Sequence, residues 1–417
     1  MSFLKIVGGR RLTGDVCTSG AKNAALPILA ASIMLEGETE LTNIPYLKDI
    51  STMIRMLNSL GIRAEYSPPN NVKIWNNKKV RHIAPYDLVT AMRASFFVAG
   101  PILAKTGLAK VPLPGGCAIG SRPVDIHLNG FKALGAEVNI EHGFVELKAK
   151  KLKGAHILLP FPSVGATENI LMAASIIEGT TVIENAAEEP EITDLIKFLR
   201  KAGADIEGEN TSVITVRGVS SLKGIKYDII PDRIEAGTLM IAGAITKGDV
   251  TVKPIVLSHM ESLIIRLEEM GVKCTYNSDD KSVRVEYEKE LKAVDIETMP
   301  YPGFPTDMQA QIMALVAVSN GMSIIKETIF ENRFMHVNEL VRMGALIKIQ
   351  NNCALIEGVK ELTGAETKIT DLRAGAALVL AGLAANGEST IYGLKHLRRG
   401  YENLNCKLRN LGAEIID

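Results

Sequence analysis

Cysteine is scarce and scattered in this chain: five residues, at positions 17, 117, 274, 353 and 406 of 417. An odd count with no CxxC pair and no Cys/His zinc spacing argues against a disulfide framework and a structural metal, and fits a reducing compartment. Net charge is also missing. Lys plus Arg and Asp plus Glu are 47 each, which removes any bulk electrostatic pull toward nucleic acid or anionic membrane but leaves room for a local basic pocket. Long apolar runs are absent. The longest, residues 24–35, is interrupted by Pro27 and Ser32 and falls short of the ~20 residues that span a bilayer. The start, MSFLKIVGGRRL, has no apolar signal-peptide core. The expectation is a cytoplasmic protein with neither a membrane segment nor a nucleic-acid partner. The common catalytic signatures are missing too: no GxxxxGK[ST], no GxGxxG after a strand, no HExxH and no GxSxG. Ordinary kinase, dehydrogenase, zinc-protease and α/β-hydrolase readings therefore have no support, and neither metal nor cofactor is expected.

What the chain does contain is a repeat. With 417 residues, 47% of them apolar, two or three domains are expected. A short phrase recurs six times: LGIRAEY at Leu60, LGAEVNI at Leu134, AGADIEG at Ala202, MGVKCTY at Met270, MGALIKI at Met343 and LGAEIID at Leu411. Its glycines, Gly61, Gly135, Gly203, Gly271, Gly344 and Gly412, stand 68 to 74 residues apart. Each phrase closes an amphipathic helix on a glycine and enters an alternating strand. A second phrase, such as EGTTVIENA or NGESTIYGL, precedes it by 23 to 28 residues and reads as a turn and a strand. Before that comes a helix apolar nearly all round, such as GATENILMAASII or DLRAGAALVLAGLAA, which predicts burial in a domain interior. Six α/β subdomains are expected, split three and three near residues 228–231.

Charged and polar residues recur where those buried helices begin: Lys22 with Asn23, Arg93, Ser163 with Thr167, Asp232 with Arg233, Asp307, and Asp371 with Arg373. Lys22, Arg93, Arg233, Asp307 and Arg373 each lie 14 or 15 residues before the glycine that follows their helix, Gly37, Gly107, Gly248, Gly321 and Gly387 in turn. Asp, Ser and Thr at such places read first as helix caps. Lys and Arg do not, because the helix dipole disfavours a cation there by about 0.3–1 kcal/mol. Their recurrence points to a shared anion that offsets the penalty, and both residue types suit phosphate and carboxylate. Arg333 in FENRFMH and Arg399 in HLRRGYEN join this set, whereas Arg398 reads equally well as surface. The segment PLPGGCAIGSRP, residues 112–123, has three prolines and three glycines. They forbid a regular helix or central strand, so Cys117 and Arg122 sit on a loop. The plain alternative for Cys117 is a small buried hydrophobe.

These residues fall in stretches that resemble the bacterial UDP-N-acetylglucosamine 1-carboxyvinyltransferase family of enolpyruvyl transferases. The stretches are GAKNAALPILAA, PLPGGCAIGSRPVDIHLNGFKALGAEV, PSVGATENI, ENAAEEPEI, PDRIEAGT, GFPTDMQAQ, FENRFMHVNEL, DLRAGAALVLAGLAA and RGYENL, and they cover nearly the whole chain. The resemblance implies an α/β (α+β) fold of two inside-out α/β barrel domains, each of three repeated subdomains with buried helices and outer sheets. Residues 21–229 would form the domain that carries the Cys117 loop. Residues 1–20 and 230–417 would form the other, with the active site in the cleft between them. The implied activity is transfer of the enolpyruvyl group of phosphoenolpyruvate to the 3'-hydroxyl of UDP-N-acetylglucosamine, with release of phosphate. Cys117 matches the family's general acid and site of a covalent phosphoenolpyruvate adduct. Asp307 matches the base on the sugar hydroxyl. Lys22, Arg122 and Arg399 match the cations for phosphoenolpyruvate, supported by Arg93, Arg333 and Arg373, with Asn23 and Asp371 as polar residues of that site. Arg122, Pro123, Val124, Asp125 and Ile126 match the uridine stretch; Ser163, Val164 and Gly165 the diphosphate contacts; Ile329 a contact to the sugar. Some family members have Lys where this chain has Phe161. Two alternatives are a 5-enolpyruvylshikimate-3-phosphate synthase-like transferase and a catalytically silent paralogue.

Overall fold

The computed structural model of the protein describes residues 3–77, 79–114 and 124–416. Cys117, Arg122 and Pro123 lie outside the described residues. Every repeat opens on an apolar helix: α1 Lys22–Ala31, α2 Ala99–Thr106, α3 Val164–Ala174, α4 Arg233–Ile245, α5 Gln309–Val316 and α6 Leu372–Ala384. These helices have no polar face, so packing must cover them on all sides. In α4 every residue from Ile234 to Ile245 is buried. Two of the six begin differently from the pattern. The sequence predicts helix from Arg93 and from Thr306, but Arg93–Val98 and Thr306–Met308 are 3-10 turns. The first has a local cause. The Asn169 amide accepts from Gly100 N at 2.9 Å and donates to Phe96 O at 3.2 Å. It thus stands between the two groups that an α-helix would bond directly.

The strands wrap these helices on one plan. In the third repeat His156–Leu158 runs parallel to Thr180–Glu184, which pairs antiparallel with Val213–Arg217 and through it with Asp205–Glu207. Ile157, Ile183 and Ile214 align across the sheet and are all buried. Their neighbours along each strand face outward, as the two-residue period requires. Three sheets borrow strands from distant sequence. Phe3–Val7 enters the sixth repeat between Glu388–Tyr392 and Glu414–Ile416. Thr13–Cys17 lies parallel to Asp249–Lys253 in the fourth. Leu222–Lys223 and Lys226–Asp228 lie parallel to Leu35–Thr42 in the first. The chain accordingly forms two compact units, residues 20–114 with 124–230, and residues 3–19 with 231–416. Each has its own apolar core of three helices with three sheets around it, the inside-out α/β arrangement.

The six phrase glycines close the outer helices. All six have positive φ, from +92° to +111°. At the third, Gly203 N donates to Arg200 O and Ala204 N to Leu199 O, both at 2.9 Å, the paired bonds of a Schellman cap. A Cβ on Gly203 would meet nothing within 4 Å, so its only cost is conformational. Gly203→Ala is therefore expected to destabilise its unit by about 1–2 kcal/mol, lowering the melting temperature by about 2–8 °C. An unchanged melting temperature would contradict this.

Candidate active site

In the unit built from repeats four to six, the half-buried Asp307 is the centre of a charge cluster whose cations are buried. It sits in the 3-10 turn that leads into α5. Its Oδ1 accepts from Arg333 Nη2 and its Oδ2 from Arg373 Nη2, each at 2.8 Å. Both arginines are 3% exposed. Arg333 Nη2 also reaches Thr306 O at 3.2 Å. Burial opposes the charge on Arg373, but Asp307, Tyr401 and Asp232 outweigh it and hold the guanidinium above its ordinary value. Nε and Nη1 of Arg373, and Nε of Arg333, are buried without a protein acceptor among the described residues. Each is a donor that costs free energy when unmatched.

The surroundings of this cluster are set by side chains that the sequence did not single out. Glu327, 2% exposed, accepts from Ile329 N at 2.8 Å, Phe330 N at 3.1 Å and Thr306 Oγ1 at 2.9 Å. It thereby ties the Ile329 backbone to the residue before Asp307. His336 is buried between Arg333 and Asp371. Burial pushes it down to about 4, Asp371 pulling the other way and Arg333 adding to the fall, so it is neutral near pH 7. Tyr401 and Gln311 pack beneath Asp307 and Arg373. Asp371 caps α6, accepting from Arg373 N and Ala374 N at 2.9 and 3.1 Å. Arg399 ends the 3-10 turn Leu397–Arg399, partly exposed, while Arg398 is exposed.

In the unit of repeats one to three, Lys22 is the first residue of α1 and is 8% exposed. Its Nζ lies 3.6 Å from Oδ2 of Asp49, itself 5% exposed. Asn23 beside it is partly exposed. The dipole penalty on a cation at a helix start is thus offset within the protein itself, by Asp49 for Lys22 and by Asp307 for Arg373. Among the acidic and hydroxyl residues at helix starts, Asp232, Asp371 and Ser163 are caps. Asp307 is not a cap; its oxygens go to the arginines.

A second group in this unit gathers around His127. Asp125 and Ile126 begin the helix Asp125–Ala133, with Val124 buried before it. Two stretches of chain meet its His127: the Arg93–Val98 segment of the same repeat and the start of α3 in the next, where Ser163 caps the helix and Val164 and Gly165 follow. A Cβ on Gly165 would lie 3.2 Å from His127 Cε1 and 3.3 Å from Phe97 Cε1. Gly100 N–H fixes the Asn169 amide, so Asn169 Nδ2 donates to His127 Nδ1 at 3.0 Å. The neutral ring then carries its proton on Nε2. Burial, and then the charge of Arg93, push His127 down to about 3. Phe161 stands 43% exposed two residues before Ser163. Thr167 faces inward and accepts from Ala187 N at 3.1 Å.

The chain matches the family model for EPSP synthase (3-phosphoshikimate 1-carboxyvinyltransferase) over residues 6–408. It is 56% identical to UDP-N-acetylglucosamine 1-carboxyvinyltransferase 1 of Caldanaerobacter subterraneus, over 97% of this chain and 96% of that protein. It is 53% identical to UDP-N-acetylglucosamine 1-carboxyvinyltransferase 2 of Carboxydothermus hydrogenoformans, over 100% and 99%. Among solved structures, the enolpyruvyl transferase NikO from Streptomyces tendae superposes with a TM-score of 0.89 at 26% identity, over 99% of this chain and 98% of that one. EPSP synthase from Acinetobacter baumannii shares the fold, with a TM-score of 0.78 at 19% identity over the full length of both chains. Among the described residues no helix is long and apolar enough to cross a membrane.

Proposed function

The chain belongs to the EPSP synthase family of enolpyruvyl transferases, and we propose that it transfers the enolpyruvyl group of phosphoenolpyruvate to the 3'-hydroxyl of UDP-N-acetylglucosamine, releasing phosphate. This would be the first committed step of peptidoglycan synthesis, in the cytoplasm. One observation carries the choice of acceptor. Identity is 53–56% over nearly the full length with transferases named for the sugar nucleotide, against 19% with an EPSP synthase of the same fold.

The reaction is an addition followed by an elimination. A proton is delivered to C3 of phosphoenolpyruvate while the sugar oxygen bonds to C2 and its own proton leaves to a base. The tetrahedral ketal then loses a C3 proton and its C2–O bond to phosphate. Asp307 is the proposed base. Its charge is matched by two buried guanidiniums that hold it in one place, and a fixed base is worth about 10²–10⁴ in rate. Cys117 is the proposed acid at C3 and the site of the covalent adduct. Lys22, Arg122 and Arg399 take the phosphate and carboxylate, with Arg93, Arg333 and Arg373 behind them and Asn23 and Asp371 as polar neighbours. Arg122, Pro123, Val124, Asp125 and Ile126 hold uridine. Ser163, Val164 and Gly165, at the positive end of α3, take the diphosphate. Ile329, its N–H already given to Glu327, offers its carbonyl to the sugar.

The test is product identity. Incubation with both substrates is expected to yield vinyl proton resonances on a sugar nucleotide, coupled to loss of the free 3'-hydroxyl. Recovery of unchanged UDP-N-acetylglucosamine would overturn the reading.

A further inference from the structure

Three segments from the three repeats of the second unit meet beneath Asp307 and Arg373 through one chain of buried side chains. Thr238 comes from α4, Gln311 from α5, and Tyr401 follows the Leu397–Arg399 turn. They are 1%, 0% and 3% exposed. Thr238 Oγ1 and Tyr401 Oη are 3.0 Å apart, and Gln311 Nε2 lies 3.0 Å from Tyr401 Oη.

Counting protons and giving them to the shortest contacts sets the direction of the bonds. The single proton of Thr238 goes to Ile234 O at 2.8 Å, so Thr238 can only accept from Tyr401. The single proton of Tyr401 is thereby used, and its oxygen accepts from Gln311. Gln311 Nε2 has three oxygens in reach, Asp307 O at 2.9 Å, Tyr401 Oη at 3.0 Å and Thr238 Oγ1 at 3.3 Å, and its two protons go to the two nearer ones. The chain therefore runs one way, and its far end grips the backbone of the Asp307 turn. Its middle member grips the partner: the Arg373 guanidinium lies 5.4 Å over the Tyr401 ring, a cation–π contact strengthened by burial.

We propose that Tyr401 is a positioning residue for enolpyruvyl transfer, holding Asp307 through Gln311 and Arg373 through its ring, with Thr238 as the acceptor that orients it. The inference rests on the reaction assigned above. It adds that the base and its buried arginine are placed by a polar chain linking all three repeats. Misplacement of a reacting group by about 1 Å costs on the order of 10²-fold in rate. A loosened chain should therefore show in turnover more than in substrate affinity.

The experiment compares Thr238→Ser, Thr238→Val and Tyr401→Phe by steady-state phosphate release, with rates divided by the folded fraction from circular dichroism. Serine keeps the acceptor oxygen; valine has the shape of threonine without it. Thr238→Ser is expected within about threefold of the unmodified protein, and Thr238→Val and Tyr401→Phe about 10–100-fold lower in kcat, with KM for both substrates within about threefold. If valine matches serine, or if Tyr401→Phe lowers only the melting temperature and leaves kcat per folded molecule intact, the chain is a fold element and the proposal falls. If the unmodified protein releases no phosphate with UDP-N-acetylglucosamine, the assigned reaction falls first.

Discussion

Asp307→Asn is expected to reduce kcat by about 10²–10⁴, the contribution of a placed general base, and to destabilise the protein at the same time. Asparagine keeps the size but not the charge. Arg333 and Arg373, both 3% exposed, would then face each other without their shared carboxylate. Removing one partner of a buried ion pair costs about 3–5 kcal/mol, and here one partner serves two cations. That second loss has a distinctive remedy. An anion that binds between the guanidiniums restores stability in proportion to the logarithm of its concentration. Inorganic phosphate should therefore raise the melting temperature of the variant more than that of the unmodified protein, without restoring turnover. Equal shifts in both would mean that the arginines are not released by the substitution.

Lys22→Met should separate stability from chemistry in the other unit. The Lys22 and Asp49 side chains are 10% and 7% exposed. Loss of the ammonium leaves Asp49 buried against an apolar chain, at a cost of about 3–5 kcal/mol. The double variant Lys22→Met/Asp49→Leu replaces the pair by apolar groups, an exchange that is often neutral or stabilising, so its denaturant midpoint should return toward that of the unmodified protein. Activity should not return. If Lys22 binds phosphoenolpyruvate, both variants lose about 2–5 kcal/mol of transition-state stabilisation, read as a fall in kcat/KM for phosphoenolpyruvate. A double variant that regained activity would show that Lys22 serves only to neutralise Asp49.

The parts of this fold legible in the sequence are those encoded within one repeat. The glycine of LGAEVNI or AGADIEG announces its helix end because only a residue without Cβ takes φ near +100° cheaply, and all six do so. The apolar helices announce their burial, and Asp232, Asp371 and Ser163 their capping. What was not legible depends on contacts between elements far apart in sequence, most of them in different repeats. Asn169 lies within an apolar helix pattern, and nothing near it in sequence shows that its amide will interrupt Arg93–Val98 and orient His127. Asp49 looks like an ordinary acid in the first turn of Lys48–Ser59; its pairing with Lys22 needs two helices brought side by side. The recurring cations suggested one shared anion, yet the structure gives Lys22 and Arg373 separate carboxylate partners. Tyr401 and Gln311 fall in the stretches RGYENL and GFPTDMQAQ, but nothing there shows that they pair, because their hydrogen bonds link three repeats.

The most direct measurement of the central claim is phosphate release from phosphoenolpyruvate with each acceptor in turn. The account predicts stoichiometric release with UDP-N-acetylglucosamine and none with 3-phosphoshikimate. Release with 3-phosphoshikimate instead, or with neither acceptor, would contradict it.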